Sequence, residues 1–196
     1  FYGNKTITTG EGGMLVTNFK NIFENAKIMR SHGMRPQKRY WHDVIGYNYR
    51  MSDINCALGI AQLERVDEIL EKRSKVATYY NEKFEEVNDI IIPYIGDNMK
   101  KSWFIYNVRL DSRFMQKDRD EILAKLVEKG IGCSNYFPPI HLQPLYVKEF
   151  GYKKGDFPIT ESISARTIAL PFFSNITQVQ IDFVVNSLLE ILEEYK

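Results

Sequence analysis

Apolar residues after Phe19 fall at Ile22, Phe23, Ala26 and Met29, the spacing of one helical face, and predict a helix over about 19–31. Asn18 is placed to cap that helix and Gly33 to end it. Just before it, Met14-Leu15-Val16-Thr17 follows two glycines as a short run that reads as a buried strand. From Met34 to Tyr49 the period lapses into a polar, aromatic stretch, a connector long enough to suggest a working loop. Ser52 can cap the next helix, with Asp53 at the positive end of its dipole. Its apolar positions Ile54, Ala57, Leu58, Ala61, Leu63, Val66 and Leu70 continue through Ala77, Tyr80 and Phe84. They predict one unbroken helix to about residue 85.

Beyond that helix the pattern shortens. Residues 90–92 and 103–110 read as strands, and residues 119–129 as a helix capped by Asp118 and stopped by Gly130. Residues 131–136 read as a further strand. Thr177 and Gln180 form a capping box for a last helix carrying Ile181, Val184, Leu188 and Leu192. Strands and helices thus mix into a small α/β unit. A helix as long as the predicted one commonly joins two domains, which divides the chain into residues 1–75 and 76–196. The chain starts at Phe1 on what looks like the middle of a domain, so the expectation is a fragment.

Composition narrows the function classes. The 26 basic and 25 acidic side chains give a net charge of +1, with no long run of one sign to attract nucleic acid. No apolar stretch approaches the roughly 20 residues that span a bilayer. Cys56 and Cys133 stand in no metal-ligand spacing, which fits reduced thiols in a cytoplasmic protein and no metal site.

The chemistry concentrates at the start. In FYGNKTITTGEGG, Lys5 stands among Gly, Asn and Thr, with hydroxyls and flexible backbone that suit an anion nearby. The Gly-x4-Gly-Lys-Ser/Thr spacing of a nucleotide-triphosphate loop is absent. A solvated lysine in a hairpin loop satisfies the same composition. Three histidines follow: His32 before a helix-ending glycine, His42 beside Trp41 in the aromatic loop, and His141 in a proline-framed turn. Asn48 reads equally as a turn residue and Arg50 as a surface ion-pair partner. Glu11 reads more simply as a brace of the turn than as a catalyst.

FYGNKTITTGEGG resembles the Schiff-base segment of the DegT/DnrJ/EryC1/StrS aminotransferases, and the likeness continues through SHGM, RYWHD, GYNYRMSDI and AQLE to YFPPIH and ALP. It implies a fragment of a fold type I enzyme dependent on pyridoxal 5′-phosphate (PLP): the end of the large domain plus a small C-terminal α/β domain. Within the family the chain is most similar to the perosamine-synthase branch. The resemblance implies transfer of an amino group from glutamate to a nucleotide-linked 4-keto-6-deoxy sugar, GDP-linked in that branch, with UDP- or dTDP-sugars as the alternative. It makes Lys5 the catalytic, cofactor-carrying lysine; a dehydratase branch has histidine there. It gives Asn48, with Arg50, a phosphate contact to the partner's cofactor in a homodimer with shared active sites, and Trp41, His42 and His141 substrate contacts. It places the family's other cofactor contacts upstream of Phe1. A non-catalytic assembly fragment is the rival from another class.

Overall fold

Every buried apolar side chain of this protein lies between Val76 and Leu192. The computed structural model describes residues 1–196 and divides into two compact units, Phe1–Asp67 and Glu68–Lys196. They are built on different physical principles.

The second unit is a one-sided sheet packed under helices. Strands β1 (Ile90–Ile91), β2 (Tyr106–Leu110) and β3 (Thr167–Leu170) form an antiparallel sheet in the order β1-β2-β3, with Tyr106 opposite Leu170 and Arg109 opposite Thr167. Alternation along β2 buries Tyr106, Val108 and Leu110 and leaves Asn107 and Arg109 half-buried on the other face. One apolar cluster joins the buried strand residues to α3 (Val66–Phe84), α4 (Gln116–Glu128) and α7 (Gln178–Glu193). The Tyr80 and Tyr106 rings stack with centroids 4.7 Å apart. Their hydroxyls donate to Pro171 O at 2.9 Å and Asn81 Oδ1 at 2.7 Å, so neither buried phenol lacks a partner. Burial pushes both phenols well above their ordinary pKa. The capping box of α7 is formed as its sequence requires: Gln180 N donates to Thr177 Oγ1 at 3.2 Å and Thr177 N to Gln180 Oε1 at 2.9 Å.

The first unit holds α1 (Lys20–Arg30) and α2 (Asp53–Glu64), with Ser52 Oγ accepting from Asn55 N at the start of α2. Neither helix buries a single residue. Val16 and Ile54 are 83% and 82% exposed, and Met14, Leu15, Phe19 and Phe23 are open too. These side chains leave much apolar surface open in the first unit.

Several expectations are corrected. Residues 14–17 form no strand, because extended backbone becomes a strand only beside a hydrogen-bonding neighbour and none runs alongside. The N-cap of α1 is Phe19 rather than Asn18; the Thr17 hydroxyl accepts from Phe19 N at 3.1 Å. The long helix is two helices, α2 and α3, parted at Arg65 (φ −108°, ψ 9°), a one-residue turn to which apolar spacing is blind. Asp118 sits in the first turn of α4 and its carboxylate accepts from Met115 N, the cap residue. Residues 131–136 contribute only a bridge between Ser134 and Ala169. Unforeseen were β3, with all four residues buried, and the short helices α5 (Pro144–Phe150) and α6 (Pro158–Ser164). No helix is long and apolar enough to cross a membrane.

Leu188 is fully buried in α7 within the shared core. Leu188→Ala is expected to destabilise the second unit by about 2–5 kcal/mol, the cost of lost burial plus a cavity. Urea unfolding followed by tryptophan fluorescence measures it through buried Trp103.

Candidate functional site

The loop carrying Lys5 is shaped by backbone and hydroxyl bonds. Lys5 N donates to Tyr2 O at 3.0 Å, closing a turn that turns the lysine outward. Tyr2 and Gly10 bridge across the loop, where Gly10 takes a φ of +79°. Thr9 is buried, and its hydroxyl donates to Glu11 O at 2.7 Å. Glu11 itself is exposed. Helix α2 seats the loop through one face: Thr8 N donates to Gln62 Oε1 at 3.3 Å, and a methyl added at Gly59 would stand 3.0 Å from Thr9 Cγ2. Residues 59 and 62 are neighbours on a helix surface, so a small residue and a bonding one three apart make a seat.

A second structure in the same unit is a clasp between the end of α1 and residues 42–50. His32 N donates to Tyr47 O at 2.8 Å, Tyr47 N to Met29 O at 2.7 Å, and Tyr49 N to Arg30 O at 3.0 Å. Two glycines let the strands of the clasp touch. A Cβ on Gly33 would lie 1.9 Å from Val44 O, and one on Gly46 would lie 2.0 Å from Gly33 N. Gly33 also has a φ of +75°, and His32 beside it is held at +61°. Tyr47 and Tyr49 stack at 4.8 Å with planes 7° apart. Arg35 and Asp43 pair across the loop.

The clasp gathers the polar side chains that the sequence pointed to. Arg50 Nε donates to Asn48 Oδ1 at 3.3 Å, and Arg50 Nη2 stands 3.0 Å from His32 Nε2. A guanidinium can only donate, so His32 Nε2 accepts. His42 Nδ1 lies 2.7 Å from His32 O, which can only accept; Nδ1 therefore carries a proton. With its oxygen engaged by Arg50, Asn48 keeps its amide N–H groups for another acceptor. His42, Asn48 and Arg50 are exposed, so the cluster offers N–H donors to solvent. Trp41 is exposed on the neighbouring turn, with Lys38 Nζ 5.6 Å from its ring centre.

His141 belongs to the second unit, in a 3₁₀ turn at Ile140–Leu142, and is only 8% exposed. Its Nε2 is 2.9 Å from Glu161 Oε1, and its ring packs 4.8 Å from that of Phe157. Glu161 also accepts from Gly155 N at 2.8 and 3.1 Å. The Gly155 N–H, with the His141 ring beside it, holds this carboxyl below its ordinary pKa, so it is a carboxylate at neutral pH. The reading from sequence missed Glu161 and its helix. Their signal was Pro158 at the first helical position after two turn-forming glycines.

The model of the DegT/DnrJ/EryC1/StrS aminotransferase family matches residues 1–189. GDP-perosamine synthase of Caulobacter vibrioides is 36% identical over 98% of this chain and 51% of its own length. UDP-4-amino-4,6-dideoxy-N-acetyl-beta-L-altrosamine transaminase of Campylobacter jejuni is 35% identical over all of the chain and 52% of its own length. Among solved structures, Helicobacter pylori PseC, an aminotransferase involved in the biosynthesis of pseudoaminic acid, superposes with a TM-score of 0.88 at 28% identity. It is matched over 96% of this chain and 51% of its own. The chain spans about half the length of the curated relatives it matches.

Gly33→Ala should cost at least about 3 kcal/mol, because the methyl meets backbone at a positive φ. Gly130→Ala is the control: its φ is +79° but nothing lies within 4 Å, so only the conformational cost of about 1–2 kcal/mol applies. Thermal unfolding of both variants tests the contrast, and equal losses would show that the close approach is not what shapes the clasp.

Proposed function

The chain belongs to the DegT/DnrJ/EryC1/StrS aminotransferase family, and on that premise we propose that it is part of a PLP enzyme that aminates a nucleotide-linked keto-sugar. The observation that carries the reading is the placement of Lys5, an exposed primary amine on a tight glycine-rich turn seated on α2. The donors present fit the cofactor: Lys5 suits an aldehyde, and the exposed amide and guanidinium of Asn48 and Arg50 suit a phosphate. When bound, PLP supplies an electron sink for the carbon that loses its proton. Lys5 Nζ would hold the cofactor and would carry a proton to or from the substrate carbon.

We assign Asn48 and Arg50 to the cofactor phosphate of a partner subunit in a homodimer. The exposed apolar residues of the first unit, Val16 and Ile54 among them, are consistent with cover by further protein. Trp41 and His42 are proposed to meet the nucleotide-sugar, and His141 to shape the segment nearest the sugar. Glutamate is the proposed amino donor and GDP-4-keto-6-deoxy-mannose the favoured acceptor, in line with the Caulobacter relative. The Campylobacter relative supports a UDP-linked 4-keto-6-deoxy sugar as the alternative. We place the enzyme in the cytoplasm.

Borohydride reduction of the PLP-loaded enzyme, followed by peptide mapping, is expected to leave a pyridoxyl group on Lys5; a label on another lysine overturns the assignment. Asn48→Ala is expected to weaken cofactor retention by about 1–3 kcal/mol, the cost of stranding a phosphate contact in a partly desolvated site. Spectrophotometric titration of the dimer with PLP measures it, and unchanged affinity removes Asn48 from the phosphate.

A further inference from the structure

Helix α6 is only seven residues long, yet it grips the segment Tyr136–His141 at both ends. Glu161 and Ser164 lie three apart and so share one face of α6. Glu161 holds His141 Nε2 at 2.9 Å, and Ser164 Oγ donates to Phe137 O at 2.6 Å. Both grips are shielded: the side chains of His141 and Glu161 are 8% and 14% exposed, and Ser164 is buried. Because a carboxylate only accepts, the proton of the pair sits on His141 Nε2, which sets the tautomer and the plane of the ring. Phe157 and Tyr152 close around that ring at 4.8 and 6.4 Å.

The helix is itself anchored from behind. Arg119 of α4 is buried to 1% exposure, and its Nη1 donates to Ser164 O at 2.9 Å and Thr167 O at 3.2 Å. These carbonyls lie at and just past the C-terminal end of α6, where helix carbonyls lack internal partners and a cation is favoured. Between the grips lies a cavity of about 350 Å³, lined by Arg119, Asn135, Pro138, Pro139, Glu161 and Ser164 among others. The segment also makes ring contacts, Tyr136 with Phe104 at 6.2 Å and His141 with Phe157, and the two hydrogen bonds fix its ends beside that apolar contact.

We infer that Glu161 and Ser164 are positioning residues, which preset the Tyr136–His141 segment for the sugar substrate by fixing the His141 ring and the Phe137 carbonyl. In this role each acts through the segment it holds. This rests on the proposed sugar-aminotransferase reading only for what the segment meets; the preset shape belongs to the chain itself.

The test has two arms. In the 196-residue chain, nitrogen-15 spectra of the histidine rings should show the Nε2–H form of His141 in the parent and in Glu161→Gln, whose amide oxygen can still accept. Glu161→Ala should lose that form, and both Glu161→Ala and Ser164→Ala should shift the amide signals of Tyr136, Phe137, Ile140 and His141 while those of α7 stay in place. An unaltered His141 ring and segment in Glu161→Ala would overturn the inference. In the complete PLP-loaded enzyme, Glu161→Ala should raise KM for the nucleotide-sugar about tenfold, with cofactor loading on Lys5 unchanged and Glu161→Gln restoring most of the loss. A fall in kcat or in thermal stability with KM unchanged would make α6 a structural brace and overturn the positioning role. An enzyme that never loads cofactor on Lys5 sinks the functional reading instead, and the spectra of the chain still decide whether the segment is preset.

Discussion

Gly33 and Gly46 approach so closely that neither position has room for a side chain, and the polar cluster of the first unit depends on that contact. Their backbones bring residues 42–50 back onto the end of α1, where His32, His42, Asn48 and Arg50 meet. In a protein with an apolar core, side-chain packing would set such an arrangement. Here the first unit buries no large apolar side chain, so backbone hydrogen bonds and steric contact between glycines carry the geometry. Such contacts have few alternatives. A clasp closed by a backbone approach near 2 Å from where a Cβ would sit holds its donors in one place.

The second unit solves the same problem with burial. Its sheet is apolar on one face, and α3, α4 and α7 fill the space under it with Tyr80, Ile122 and Leu188. That rigid body then supports an irregular segment, Tyr136–His141, which has no regular structure beyond one 3₁₀ turn. Arg119 passes the order of the core outward: its buried guanidinium donates through Nη1 to the end of α6 and the start of β3, and through Nε to Asp120. A buried arginine on carbonyls is costly to desolvate, and the carbonyls repay part of that cost by losing their own unsatisfied state.

The chain belongs to the DegT/DnrJ/EryC1/StrS aminotransferase family. Its Lys5 is exposed on a turn closed by the residue's own backbone N–H, and exposed aromatic and amide groups stand on the clasp. Identity is 36% to a relative named for a GDP-linked sugar and 35% to one named for a UDP-linked sugar, so overall likeness does not separate the two nucleotides.

What the sequence alone determined is local or motif-borne. The helices α1 and α7, the Thr177/Gln180 capping box and the existence of β2 follow from spacing, because each is decided by residues within a few positions of one another. The family was legible from motif resemblance. Only the tertiary structure decided the rest. The apolar run at 14–17 looked like a strand, but a strand is a relation between two segments and no neighbour is present. The turn at Arg65 left no mark in a period that records faces and not dihedral angles. The joining of His32 to Arg50, 18 positions apart, and of His141 to Glu161, 20 apart, came from folds of the backbone that bring distant side chains within hydrogen-bond reach. Sequence spacing carries no distance across such a fold, and that is why Glu161 stayed hidden until its carboxylate was seen on the histidine.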